Sequence, residues 1–382
     1  MVDASRAGRY IDQLEGYKAF IPNPLPPIPE VIMDQEMWNL LSQADRALGR
    51  LDGATDALPN PDLFVFMYVR KEAVLSSQIE GTQASLIDVL EFESQALEPS
   101  NPQDVAEVVN YISAINYGLE RLKELPVSLR LIREIHQELM KDVRGAERNP
   151  GEFRRSQNWI GPAGCSLAEA SYVPPPPHEM IQALNNLENF LHSPQPMPTL
   201  IKVGLAHAHF ETIHPFLDGN GRTGRLLITF LLCEQNILQR PLLYISYYFK
   251  KYRAEYYDRL QAVRDSGNWE DWLKFFLRGV YEVAQEAAAT ARKIVNLKEE
   301  HRELVLNKMG RRSGNAIALL ESLYFRPIFN VEHAEAVTNL SYPNANTLIK
   351  DLSNIGLLQE ITGQKRNRAF SYVPYLSVFQ DP

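Results

Sequence analysis

Residues 214–225 read HPFLDGNGRTGR, and the apolar run LLITFLLC follows at once. One histidine, one carboxylate, one amide, three glycines and two arginines in twelve positions form a set suited to holding phosphate. Gly219, Gly221 and Gly224 allow the backbone to approach a bulky anion. A helix starting near Asn220 turns unpaired N–H groups and the positive end of its dipole toward that anion. Arg222 and Arg225 fall three residues apart, on one face of the first turn, where two forked guanidiniums can grip different phosphates of one chain. Asp218 is the single nearby hard oxygen ligand, which suits Mg²⁺, an ion that takes one or two carboxylates beside substrate phosphates and water. His214, with an ordinary pKa of ~6.5, can be neutral near neutral pH and accept a proton from an attacking hydroxyl.

Two familiar nucleotide patterns fail here. Gly219 to Gly224 spell G-x-G-x-x-G, but that fingerprint follows a buried strand and precedes an acidic residue about twenty positions on, whereas the segment before this one is helical and the region near Tyr244 has no acid. No Gly-Lys-Ser/Thr closes a Walker loop.

The elements that must position these residues are mostly helices. Met37, Leu40, Leu41, Ala44, Leu48 and Leu51 recur at three- and four-residue steps, with Gly53 as the expected C-cap. A second helix is expected from Asp62 to a stop at Gly81, a third after NPQD through Leu122, and a fourth from Ser128. The stretch PNPLPPIPEV, residues 22–31, is too proline-rich for helix or central strand and reads as an extended surface segment. Between Gly151 and Pro177 the helical period disappears. Two β-prone pieces, 158–160 and 171–173, flank a Gly-Pro-Ala-Gly turn and predict a hairpin flap. Helices follow from near His178, through LIKVGLAHAHFETI into the twelve residues, and on to about Leu306. From about Arg311 three short helical patterns precede two β-prone runs around GQKRNR, the order of a winged helix-turn-helix.

The chain has 382 residues, 45% apolar, with a formal charge of −8, which argues against bulk attraction to nucleic acid or anionic membrane. Cys165 and Cys233 are the only cysteines, which excludes a disulfide framework or zinc cluster and suits a reducing compartment. The first twenty residues lack the plan of a signal peptide and no apolar run approaches a membrane span, so the expected location is the cytoplasm.

HPFLDGNGRTGR resembles, without a mismatch, the HxFx(D/E)GNGRxxR signature of the Fic family, whose members usually transfer AMP from ATP to a hydroxyl side chain of a target protein. The resemblance extends through the flap, the N-terminal helices and the tail. It implies a mainly α fold, a Fic-type helical core with a β-hairpin flap plus a C-terminal winged helix-turn-helix, divided as 1–100, 101–300 and 301–382. It implies that His214 is the catalytic base, that Asp218 holds Mg²⁺, and that Gly219, Asn220, Gly221, Arg222, Gly224 and Arg225 bind ATP, with Arg225 on the γ-phosphate and Phe216 anchoring the loop. Tyr257, beside Tyr256, is a stacking candidate for the adenine. In the Doc-type kinase of the family a lysine stands where this chain has Gly221, so the resemblance favours adenylyl transfer.

Ser76-Ser-Gln-Ile-Glu80-Gly81 resembles the family's (S/T)xxxE(G/N) inhibitory motif. It implies that Glu80 pairs with Arg225, which then cannot grip the γ-phosphate. His207, His209, Glu211 and His214 lack the i, i+4 spacing of a helical zinc site and are read as packed or capping residues. The partners implied are target proteins, the protein itself among them; the sequence leaves a homodimer open. The rival reading is a DNA-binding regulator. Residues 301–382 carry nine Lys/Arg against seven Asp/Glu, and Pro343–Leu358, the presumed recognition stretch, has only Lys350 as a basic residue, which is thin for gripping phosphates. Lys365, Arg366 and Arg368 at the wing tip are the remaining candidates.

Overall fold

Apolar residues at helical spacing become helices throughout, in a computed structural model that describes every residue except 1–3, 15, 57–59, 96–98, 100, 163, 195, 365 and 380–382. In chain order these are α1 (Gln35–Asp56), α2 (Asp62–Ile79), α3 (Leu86–Ser94), α4 (Pro102–Arg121), α5 (Leu129–Leu139), α6 (Pro177–His192), α7 (Thr199–Ile213), α8 (Asn220–Glu234), α9 (Ser246–Lys251), α10 (Arg253–Ser266), α11 (Trp269–Met309), α12 (Ser313–Leu323), α13 (Val331–Thr338), α14 (Tyr342–Asn354) and α15 (Val373–Ser377). An N-terminal hairpin, β1 (Gly8–Asp12) with β2 (Lys18–Pro22), and a three-stranded antiparallel sheet, β3 (Ile328–Asn330), β4 (Gln359–Glu360) and β5 (Ala369–Ser371) in the order β3-β5-β4, complete it. The fold is mainly helical with small antiparallel sheets, and no helix among the described residues is long and apolar enough to cross a membrane.

Helices α7 and α8 form the centre. Nearly every residue of α7 is buried, and the run 226–232 of α8 is buried throughout. That explains the apolar run: α8 is wrapped by α2, α4, α5 and α7, so its first turn is held from all sides.

The expected starts and stops hold in several places. Ser128 caps α5, and α2 ends at Glu80 before Gly81, whose φ of +105° only glycine adopts easily. Gly53, however, is not a C-cap: α1 runs on to Asp56. Its apolar stripe lies along α11, and that packing outweighs the ~1 kcal/mol cost of an interior glycine. The flap is less regular than expected. Among the described residues only Ile160 and Tyr172 pair, through N–O bonds of 2.8 and 3.0 Å. Prolines 174–177 cannot donate, and Val173 instead gives its carbonyl to Phe20 of β2. The hairpin β1–β2, helix α3 with its Ser85/Asp88 capping box, and strand β3 were not anticipated.

The proline-rich segment is extended as expected, tied down by buried Arg6, which donates to the carbonyls of Pro29 and Glu30 and to both oxygens of Glu270. Position 301 falls inside α11, which runs unbroken to Met309. The C-terminal elements also touch the N-terminal ones: Phe325 packs edge-on to Phe66 of α2, and Arg326 donates to the Ser94 carbonyl of α3.

Candidate active site

Residues 214–219 form the turn between α7 and α8, and residues 220–225 open α8. His214 closes α7 in the left-handed conformation (φ 49°), its N–H donating to the Phe210 carbonyl. Its carbonyl accepts from Arg154 Nε (3.0 Å) and Asn158 Nδ2 (3.2 Å), both from the flap segment. Burial, with Arg264 and Arg154 nearby, pushes the imidazole down to about 3, so the ring is neutral. A neutral imidazole can take a proton on the ring nitrogen that carries no hydrogen.

Phe216 is wholly buried beside Phe153 and fixes the middle of the loop. Asn220 closes it: its Oδ1 accepts from Phe216 N and its Nδ2 donates to Phe216 O, each at 2.8 Å. The amide side chain is therefore committed to the loop, and what Asn220 offers an anion is its backbone. Gly219 caps α8 at φ 74°, and a Cβ there would lie 2.8 Å from Met140 Sδ. The first intrahelical bond runs from Thr223 N to Gly219 O, which leaves the N–H groups of residues 220–222 ahead of the ladder, as an anion cradle requires.

Asp218 stands at the rim with its side chain 35% exposed. Its Oδ1 accepts from Gly219 N at 2.7 Å, and its Oδ2 lies 3.3 Å from Arg148 Nη1. Glu80, Glu107, Arg144, Asp218, Gly219 and Arg222 line a cleft of about 200 Å³. A hard carboxylate oxygen opening on a cleft that has room for phosphate fits Mg²⁺. Among the described residues no group of three or more His, Cys, Asp or Glu is placed to hold a metal by itself. His207 in particular is neutral and saturated, with Nδ1 on the Gly224 carbonyl and Nε2 on the Tyr256 hydroxyl, both 2.9 Å. His209 is simply buried.

Arg222 and Arg225 are both buried and both paired. Arg222 reaches Glu107 of α4 at 3.1 Å. Arg225 donates from Nε to Ser76 Oγ (2.8 Å), and from Nη2 to Ser76 O (3.0 Å) and Glu80 Oε1 (2.5 Å). Burial works against the charged form of Glu80, but the Arg225 guanidinium outweighs it and holds the carboxyl below its ordinary range. Gly221 makes this contact possible, since a Cβ there would sit 2.2 Å from Glu80 Oε1. Gly224 does not face the cleft: a Cβ there would meet Glu211 and Phe210 of α7, so this glycine serves helix packing rather than the nucleotide. Tyr257 is half-exposed, its ring 5.2 Å from that of Tyr256, with its hydroxyl pushed up to about 12 by burial and the Glu80 charge.

Sequence reasoning missed four residues: Glu107, Arg144, Arg154 and His136. Glu107 holds Arg144 as well as Arg222, Arg154 braces the loop, and His136 lies under it. All are remote in sequence from the motif, which Glu107, Arg154 and His136 touch directly. Glu72 of α2 was also missed. It accepts from the Ser246 amide and hydroxyl and from the Tyr111 hydroxyl, anchoring the helix that carries Glu80.

Residues 38–120 match the family model described as Fic/DOC family N-terminal, and residues 126–232 match Fic/DOC family. A protein named protein adenylyltransferase Fic from Aedes aegypti is 30% identical over 250 residues, covering 64% of this chain and 46% of that one. A probable protein adenylyltransferase from Aquifex aeolicus is 32% identical over 181 residues, covering 46% and 51%. The chain thus spans about half the length of the curated relatives it matches. Among solved structures, a Fic family protein from Desulfovibrio desulfuricans G20 superposes with a TM-score of 0.59 at 17% identity, covering 90% of this chain and 97% of that one. A Fic domain containing signaling protein from Bacteroides thetaiotaomicron gives 0.52 at 16%, covering 66% and 96%. At those identities the likeness concerns the fold. Residues 38–120 and 126–232 are therefore the N-terminal and Fic domains of the Fic/DOC family.

Proposed function

We propose that the protein is an adenylyltransferase that moves AMP from ATP to a Ser, Thr or Tyr hydroxyl of a target protein, itself included, and that Glu80 holds it in check. The observation that carries this reading is the loop that joins His214, at the end of α7, to the free N–H groups at the start of α8, with a carboxylate at its rim. The relatives named adenylyltransferase agree with it.

His214 accepts the proton of the target hydroxyl as its oxygen bonds to the α-phosphorus of ATP. The bond from that phosphorus to the bridging oxygen breaks, and pyrophosphate leaves. The N–H groups at residues 220–222 receive the phosphate charge that builds up, and Arg222, oriented by Glu107, adds its own. Asp218 would hold Mg²⁺, which when bound neutralises phosphate charge. Arg225 would hold the γ-phosphate once Glu80 releases it; while paired, it leaves the triphosphate without that anchor and the α-phosphorus out of line. Tyr257 would stack on the adenine.

The flap beside Trp159 and Leu217 borders a groove of about 550 Å³ that suits the target segment. We read residues 301–382 as a winged-helix module that selects targets rather than one that grips DNA. Arg368 donates to Asn346 and Arg312 pairs with Asp351, which leaves few free cations on the presumed recognition face; Lys365 lies outside the described residues. The two cysteines, both half-buried and unpaired, suit the cytoplasm.

The test is incorporation of label from α-labelled ATP by the Glu80→Gly variant. His214→Ala in that background abolishes it, and γ-labelled ATP gives none. Undiminished labelling after loss of His214 overturns the reading.

A further inference from the structure

His136 lies on the apolar stripe of α5 among Leu131, Ile132, Ile135 and Leu139, where a leucine would satisfy packing. An imidazole 2% exposed is costly there unless both nitrogens are bonded, and both are. The Gly151 amide donates to Nδ1 at 2.8 Å, so that nitrogen carries no hydrogen. Nε2 then carries it and donates to the Asp218 carbonyl at 3.0 Å. The ring also lies parallel to Phe216, 3.7 Å between centroids and 1° between planes. Three contacts fix one tautomer and one orientation.

We propose that His136 is a positioning residue for the nucleotide: it sets the Asp218–Gly219 peptide, and through it both the Asp218 carboxylate and the entrance of α8. This rests on the nucleotide-binding reading of that loop given above. The peptide whose carbonyl His136 holds is the one whose N–H, on Gly219, donates to Asp218 Oδ1 at 2.7 Å. Turning it would swing the carboxylate and disturb the left-handed Gly219 at the cap of α8. A Cβ at Gly219 would stand 3.3 Å from His136 Nε2, so the ring is seated directly against this turn. Its other nitrogen reaches Gly151, where the flap segment begins and whose carbonyl accepts from Arg133. One ring therefore ties the phosphate loop to the segment that borders the target groove, without touching either substrate.

The experiment compares three substitutions made in the full chain. His136→Gln keeps a donor for the Asp218 carbonyl, His136→Asn keeps an acceptor for the Gly151 amide, and His136→Phe keeps the stacking and loses both bonds. Calorimetric titration with ATP and Mg²⁺, at a temperature where all three are folded, should show ATP binding weakened about tenfold in the Phe and Asn variants and no more than about threefold in the Gln variant, as one lost hydrogen bond implies. Amide hydrogen exchange at residues 216–222 should quicken in the same order, a reading that needs neither nucleotide nor transfer. Unchanged exchange and ATP affinity in a folded Phe variant would overturn the proposal. If exchange follows the expected order but the Glu80→Gly variant incorporates no AMP, the positioning role stands and the transfer reading fails.

Discussion

Arg222 and Arg225 stand one turn apart on α8, both buried and both held by a glutamate, yet the two pairs are built differently. Glu107 lies in the middle of α4, its side chain 3% exposed, and grips Arg144 as well. Glu80 is the C-cap of α2, its side chain 35% exposed, with a left-handed Gly81 next. The Arg225 contact is the shorter, 2.5 against 3.1 Å, but it is the one that can let go. A carboxylate inside a packed helix cannot withdraw without moving the helix, whereas one at a helix end needs only its own rotamer and a last turn that frays. Whether an ion pair is permanent depends here on its place in the element more than on its length.

Removing the permanent partner should have the larger effect on the fold. Glu107→Ala leaves the Arg222 guanidinium buried without its carboxylate, and breaking a buried pair from one side costs about 3–5 kcal/mol. Denaturant unfolding should show that loss, and ATP binding should weaken with it. Stability within about 1 kcal/mol of the parent would mean that Arg222 finds solvent or Arg144 moves away, and that the contrast is false.

Glu80→Gly should do the opposite. A charge-assisted hydrogen bond contributes ~1.5–3 kcal/mol, so its loss should raise self-modification roughly tenfold to a hundredfold if that bond alone sets the balance. Unfolding should change less than in Glu107→Ala, because Arg225, though only 1% exposed, keeps both of its contacts to Ser76. Equal labelling rates in the two proteins would remove the brake from the account.

The pH response sharpens the contrast further. Glu80 titrates below the ordinary carboxylate value, so the stability its pair contributes is present above that value and is lost only as pH falls through the lower, folded one. The activity ratio of Glu80→Gly to parent should therefore be flat between pH ~6 and ~8. His214, pushed down to about 3 by burial first and neighbouring arginines second, favours the neutral ring, so its contribution to stability is present above ~6.5 and declines below it, between its unfolded and folded values. The released enzyme should show no acid limb near ~6.5 that depends on this residue. A limb there that vanishes in His214→Ala would show that the ring is far more solvated than its burial implies.

Much of this site was legible because its chemistry is contiguous. His214, Asp218, Gly219 and both arginines sit in one loop and one helical turn, so local geometry alone groups them. Glu80 needed only the matching short motif. Glu107, Arg154 and His136 were illegible for a physical reason: their function comes from tertiary contacts 37 to 115 residues away, and in sequence each is an ordinary polar residue on an amphipathic helix or in a loop. Two contacts inside the motif were illegible for the same reason: the Asn220 side chain bonds to Phe216, and Gly224 lies against Glu211 of α7. Gly53 misled because a helix end was inferred from local cost, while α11 supplied the packing that carried α1 past it.

The smallest predicted effect concerns Ser76, which belongs to both sides of the comparison. It is on the releasable helix, four residues before Glu80, yet it is wholly buried and meets Arg225 twice, through Oγ and through its own carbonyl. The carbonyl remains in Ser76→Ala, so only the Nε bond is lost, worth ~0.5–1.5 kcal/mol or a little more for a charged donor. If Ser76 is part of the brake, that loss lets Arg225 leave more readily, and self-modification should rise about two- to tenfold, less than in Glu80→Gly. If Ser76 instead orients Arg225 for the γ-phosphate, labelling in the Glu80→Gly background should fall when Ser76→Ala is added. A rise alone puts Ser76 with Glu80; a fall in the double variant puts it with Glu107, among the contacts that stay.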